Sequence, residues 1–268
     1  MPAHPGFPPS LVQAALAASG AHSGGRLRVL GISGLQGSGK STLAAQVVDA
    51  ATATGLSAAS VSLDDFYLTA AQRHALARDV HPLLATRGPP GTHDVALALQ
   101  VIDALRDRGT PSLPRFDKLG DDRLPVSRWP VPARPLDLLV LEGWCLAVPA
   151  EAEAALGRPV NALERDEDPD GSWRRWCNAA LASDYPPLWA RTDVLWFLQA
   201  PDFDVVRHWR WQQEQALRRA QPGRGGMDRA QLERFIQHYE RVSRHALRTL
   251  PARADTIVTP DATRTPRD

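Results

Sequence analysis

Short apolar runs alternate with stretches of helical period along most of this chain. Leu27 to Ser33, Ser57 to Leu63, Leu136 to Leu141, Asp193 to Leu198 and Asp255 to Thr259 are compact and rich in aliphatic or β-branched residues, as buried strands are. Between and around them the spacing predicts helices. They run from Leu11 to Ala18 with Ser10 as cap, Thr42 to Val48, Ala70 to Ala77, Val95 to Arg108 with Asp94 as cap, Trp173 to Ala182, Phe203 to Ala220 and Asp228 to Leu247. Strands that alternate with helices make a mostly parallel sheet, here five-stranded, with helices on both faces.

Other segments break the pattern. Residues 1–25 are expected as a loose tail, a short helix and a glycine linker, ahead of a single α/β domain over 26–268. Residues 109–135 hold many prolines and no helical period, and loops of that length inside a domain are commonly functional. Residues 150–172 are acidic and irregular and are expected as a surface insertion, with no role assigned to ERDEDPD at 164–170. Residues 203–226 join an arginine-rich helix to a glycine-containing break at Gln221 to Gly226, the composition of a hinged lid.

The chemistry is densest just after the first strand. Gly34-Leu35-Gln36-Gly37-Ser38-Gly39-Lys40-Ser41 fits G-x-x-x-x-G-K-[ST], the phosphate-binding P-loop. Its glycines let backbone N–H groups converge on an anion, and the following helix adds its positive end. Lys40 is expected to reach the β- and γ-phosphates, and Ser41 to hold Mg²⁺. The chain therefore reads as a nucleoside triphosphate-binding α/β protein.

Ligands of parallel sheets sit beyond the carboxyl ends of the strands. Asp64-Asp65 ends the second predicted strand, and Glu142 ends the third. Asp64 opens Asp-x-Phe-Tyr, where a carboxylate could accept the proton of an attacking hydroxyl while its neighbour holds a metal-bound water. An apolar strand ending in Glu142 suits a Walker B acid, so Ser41, Asp64 and Glu142 are the candidate Mg²⁺ residues. Arg207, Arg210, Arg218, Arg219 and Arg224 could bring positive charge over the transferred phosphoryl group, with Arg210 the catalytic candidate. The alternative is a solvated, ion-paired helix face.

Composition sharpens one position. Of 31 basic residues only two are lysines, Lys40 and Lys118. The two cations differ as ligands, so the second lysine stands out in the long loop. An acceptor pocket between Asp64 and that loop has Asp65, Tyr67, Arg87, His93, Asp94, Arg115, Asp117 and Lys118 as candidates, and a small anionic acceptor would want an arginine fork or a lysine. A net charge of +1 offers no bulk attraction for nucleic acid or membrane. No apolar run reaches membrane-spanning length and no basic leader precedes a hydrophobic stretch. Cys145 and Cys177 give neither a disulfide framework nor zinc spacing, which suits the cytoplasm.

Taken together, Gly34–Thr42, SLDDFYL at 62–68, RGPPGTHD at 87–94, LPRFDK at 113–118, GDDR at 120–123, LEGW at 141–144, Trp173–Leu181 and Trp209–Gln215 resemble ATP-dependent D-glycerate 3-kinase of the plant and fungal type. That family stands in the P-loop kinase group with uridine kinase, phosphoribulokinase and pantothenate kinase. The resemblance covers nearly the whole chain after residue 25. It implies transfer of the ATP γ-phosphoryl group to the primary hydroxyl of D-glycerate. It also implies Gly34, Gly37, Ser38, Gly39, Lys40, Ser41 and Thr42 on the nucleotide, and Asp64 as the acceptor-activating aspartate. The competing readings are a kinase of the same group for a nucleoside or pantothenate, and a nucleotide-switch ATPase with no small acceptor. The oligomeric state is not legible.

Overall fold

The computed structural model describes residues 6–220 and 227–259. Five parallel strands form one sheet in the order β2-β5-β1-β6-β7: β1 is Arg28–Gly34, β2 Ala58–Ser62, β5 Leu138–Gly143, β6 Val194–Leu198 and β7 Thr256–Val258. Alternation along the central strands splits the core in two. Val29, Leu139 and Leu141 face a layer that includes α4 (Val95–Arg106), α7 (Ser172–Ser183) and α10 (Arg229–Thr249). Leu30, Ile32, Leu138 and Val140 face α1 (Pro9–Ser19) and α2 (Lys40–Ala53). Successive side chains on a strand point to opposite faces, so these mainly apolar strands are covered twice.

Register then sets the site. Ile32 and Ser62 both pair with Glu142, so β1, β5 and β2 end level and their following loops share one rim. Among the described residues no helix is long and apolar enough to cross a membrane.

Three expectations change. The expected short helix is present as α1, but the tail before it is not loose from residue 6 on: Phe7 is buried with Val12 and Ala15 in the second core, and Phe7 N donates to Gln46 Oε1 at 2.8 Å. The cap of α1 is Pro8, with Pro9 as first helical residue, so Ser10 lies inside the helix; proline's fixed φ suits a first turn whose N–H has no intrahelical partner.

Residues 150–172 lie mostly at the surface, as expected, but they are not irregular and not all of their acids are solvated. They form α5 (Glu153–Leu156) and α6 (Ala162–Glu167), and Glu164 and Asp168 are fully buried. Arg241 of α10 forks onto Glu164 with two bonds of 2.7 Å, and Arg174 donates to Asp168 Oδ2 at 2.9 Å. The acidic sequence thus fastens these helices to α7 and α10. Arg241→Met leaves Glu164 buried without its fork, and breaking such a pair costs about 3–5 kcal/mol. Denaturant unfolding should show that loss, with partial recovery when Glu164→Gln is added.

The third change is in the proline-rich loop. A two-residue pairing of β3 (Phe116–Asp117) with β4 (Asp122–Arg123) folds it into a small antiparallel hairpin. Arg73, almost fully buried, pins it by donating to Leu68 O, Ala85 O and Asp121 O. The hairpin's turn carries Lys118.

Candidate active site

The loop after β1 has the geometry its glycines suggest. Gly37 and Gly39 sit at φ of 84° and 95°, a region costly for residues with a Cβ, and Gly39 caps α2. A Cβ at Gly37 would stand 2.8 Å from Trp209 Cβ, so α9 (Asp204–Ala220) rests directly on the loop. Lys40 is buried and donates to Leu35 O at 3.0 Å. Burial lowers its pKa, against the opposing pull of Glu142 and Asp64. The side-chain polar atoms of Gln36 and the Ser38 hydroxyl are buried without a protein partner. Buried polar atoms are nearly always satisfied, so this loop is built to meet a polar ligand.

Opposite the loop, β2 ends in a capping box. Ser62 Oγ accepts from Asp64 N at 3.2 Å, and Asp65 Oδ2 accepts from Ser62 N at 3.0 Å, closing the turn Leu63–Phe66. This points Asp64 back toward the loop. Tyr67 Oη donates to Asp64 Oδ1 at 2.6 Å and Lys118 Nζ donates to Asp64 Oδ2 at 2.6 Å. Burial alone would raise the Asp64 pKa, but Lys118 and the two hydrogen bonds outweigh it and hold the carboxyl below the usual range. Asp64 in turn raises the pKa of Lys118.

A cavity of about 170 Å³ joins the two sides. Lys40, Ser41, Asp64, Tyr67, Arg87, Lys118, Glu142 and Arg210 all line it. Four cations and two carboxylates line the cleft, and although Arg87 is also paired with Asp121 the balance stays positive and favours an anionic ligand set. At its floor Ser41 Oγ donates to Glu142 Oε1 at 2.7 Å. Two oxygen donors side by side suit a hard cation that keeps waters and phosphate oxygens as its remaining ligands. Among the described residues no group of three His, Cys, Asp or Glu side chains could hold a metal by itself. Asp64 has its closest polar partners elsewhere, on Tyr67 and Lys118.

Several sequence candidates build the wall instead of facing the cavity. Asp65 closes the capping box and accepts from Phe116 N at 3.3 Å, and Arg115 lies 3.5 Å from it. Asp94 caps α4 by accepting from Leu97 N and holds Arg123 at 3.1 Å. Asp117 Oδ1 accepts from Leu119 N within the hairpin turn. His93 is buried with Nδ1 2.6 Å from the Tyr185 hydroxyl. Of the proposed acceptor set, Tyr67, Arg87 and Lys118 reach the cavity.

The arginine cluster also divides. Arg210 faces the cavity, donates to Gln213 Oε1 at 2.9 Å and lies over the Phe235 ring. Arg207 pairs with Glu233 at 3.2 Å outside the cavity, and Arg219 is solvent-exposed. The Arg218 side chain and Arg224, with the break at 221–226, lie outside the described residues. The sequence reading missed Trp144, Gln213, Phe235 and Tyr239 in the lining. Trp144 and Gln213 fall inside stretches singled out above. Phe235 and Tyr239 look like any apolar positions of an amphipathic helix. Tyr239 Oη donates to Arg87 O at 2.8 Å, and a Cβ at Gly88 would fall on that hydroxyl, so α10 clamps the RGPPGTHD segment.

Burial pushes both His93 and His238 down to about 4. In the unfolded chain they charge below about 6.5, so the unfolded state binds more protons between those values. Their contribution to stability is present above pH 6.5 and is lost as pH falls toward 4. Urea midpoints at pH 7 and pH 5 should show this, with a shallower pH slope for His238→Gln, which lies away from the cavity.

The fold and this cleft define a P-loop kinase. No protein-family model matches the chain. It is 36% identical over 224 residues to the Schizosaccharomyces pombe protein named "Uncharacterized kinase mug58", covering 80% of this chain and 79% of that one. It is 31% identical over 248 residues to the chloroplastic D-glycerate 3-kinase of Arabidopsis thaliana, covering 87% of this chain but 50% of that enzyme, so it spans about half the plant protein's length. The solved D-glycerate 3-kinase of Cryptococcus neoformans superposes with a TM-score of 0.76 at 26% identity, over 97% of this chain and 96% of that one. The chain belongs to the kinase family of these relatives and is homologous to D-glycerate 3-kinase.

Proposed function

We propose that this kinase transfers the γ-phosphoryl group of ATP to the primary hydroxyl of D-glycerate, giving 3-phosphoglycerate and ADP. The observation that carries the reading is one cleft in which Asp64 and Lys118 stand across from Lys40 and Ser41. Homology to D-glycerate 3-kinases supplies the acceptor's identity.

In this reading the loop from Gly34 to Thr42 cradles the phosphates, with Gly37, Ser38 and Gly39 offering N–H groups and Lys40 its charge. Mg²⁺ would be held by Ser41 and Glu142, with the nucleotide's own oxygens, and would neutralise charge on the phosphates. Asp64 orients the acceptor hydroxyl and takes its proton. Arg210 faces the phosphoryl group from α9, and Lys118 and Arg87 receive the carboxylate. A cytoplasmic setting belongs to the same proposal, supported by two free, buried cysteines.

The test is ADP release with Mg-ATP against D-glycerate, L-glycerate, uridine and pantothenate, with the product identified. The expected result is turnover with D-glycerate and a 3-phosphate product. Turnover with uridine or pantothenate instead keeps the kinase and changes the acceptor. Hydrolysis indifferent to every acceptor makes the chain a nucleotide-switch ATPase.

A further inference from the structure

We infer that Lys118 is a substrate-operated latch on Asp64: it neutralises the base until an acceptor carboxylate draws it away. This rests on the acid acceptor proposed above.

Both oxygens of Asp64 are engaged. Oδ1 accepts from Tyr67 Oη and Oδ2 from Lys118 Nζ, each at 2.6 Å. Charge-assisted bonds of that length are strong, and a carboxylate so held is a poor proton acceptor. The two partners differ in freedom. Tyr67 is buried, and its ring lies tilted against His93 and edge-on to Phe116. The Lys118 side chain is 59% exposed, while its backbone carbonyl accepts from Arg87 Nη2 at 3.1 Å and the hairpin behind it is pinned by Arg73. The stem is thus anchored at the root, and its exposed length leaves Nζ room to turn from Asp64 to another anion. Lysine's ammonium on four carbons can turn among acceptors, which a rigid arginine fork does less readily. This gives a physical reason for one of the chain's two lysines to stand here.

A three-carbon hydroxy acid carries its carboxylate and its hydroxymethyl group on either side of one carbon. When the carboxylate takes over Nζ, one ion pair replaces another, so the exchange costs little. The hydroxyl then lies against the freed Oδ2. Its proton passes to Asp64 as its oxygen bonds the γ-phosphorus, and the bond from that phosphorus to the β,γ-bridging oxygen breaks with its electrons leaving on ADP. An uncharged alcohol offers Nζ no anion in exchange, so opening the latch would give up the ion pair that holds the largely buried Asp64 carboxylate. Water meets the same barrier, which restrains wasteful ATP hydrolysis.

The experiment compares ADP release by the wild type, Lys118→Ala and Lys118→Met with Mg-ATP and no acceptor, with glycerol, and with D-glycerate. Stabilisation by Mg-ATP in a thermal melt shows that each variant is folded, and Lys118→Met keeps the stem if Lys118→Ala does not fold. The latch predicts opposite movements in the variants. kcat/KM for D-glycerate falls about 100-fold, while acceptor-free and glycerol-dependent turnover rise about tenfold. A fall with D-glycerate and no rise in either other reaction makes Lys118 only a carboxylate anchor and overturns the latch. Absence of D-glycerate turnover in the wild type overturns the proposed acceptor instead. The acceptor-free comparison then still decides: a rise supports a latch on Asp64, and no rise removes it.

Discussion

Asp64→Asn should lower kcat by about 10³-fold while changing the ATP KM by less than about threefold. General-base assistance contributes roughly 10²–10⁴-fold, and asparagine keeps the shape while losing the proton-accepting charge. The amide can still accept from Tyr67 at the position of Oδ1. Its Nδ2 then faces the Lys118 ammonium, donor against donor, so Lys118 loses its partner and the cleft becomes more positive, which does not weaken nucleotide binding. The effect should therefore fall on the chemical step. Steady-state kinetics with single-turnover phosphoryl transfer separates the two. A kcat within tenfold of wild type, about 1.4 kcal/mol of barrier, removes Asp64 as the base.

Lys40→Ala should abolish measurable turnover, a loss of at least about 10³-fold or roughly 4 kcal/mol. Lys40 is buried with Nζ on Leu35 O, so its ammonium is already oriented within the phosphate loop. Preorganised charge acts on the transferring group without reorganisation, and no neighbour can replace it. Arg210 enters from α9 on the other side of the cleft and Lys118 is bound to Asp64. Turnover by Lys40→Ala near the wild-type rate would mean that the loop from Gly34 to Ser41 does not act on the phosphates.

Both residues are legible in the sequence because their surroundings are local. The P-loop is a strand, a turn and a helix N-terminus contiguous along the chain, and SLDDFYL encodes a strand end and its own capping box. The five strands are legible for a similar reason: buried parallel strands are nearly continuous apolar runs, and β5 is buried along its whole length. The acceptor candidates read less well. Asp65, Asp94 and Arg115 carry charge near the right motifs, yet caps and hairpin contacts consume that charge. A sequence shows that a carboxylate is present, not whether a backbone N–H three residues away has already claimed it.

The acidic stretch at 164–170 shows the same limit from the other side. Its charge suggested solvent, but Glu164 and Asp168 are buried because Arg241 and Arg174 come to meet them. Arg241 lies 77 positions along the chain from Glu164, and no local pattern reports such a partner.

By itself, the sequence determined the sheet, the phosphate loop and the candidate base, since each follows from propensity, periodicity or a turn closed within a few residues. Only the tertiary structure decided which charges face the cleft. It folded the proline-rich loop into a hairpin that sets Lys118 on Asp64 across 54 positions, brought Glu142 to Ser41 through strand register, and laid Arg210 and Tyr239 over the cavity from α9 and α10. Those contacts depend on distant segments sharing one core, and the free energy that joins them is apolar burial, which is non-directional and leaves no motif at the residues it brings together.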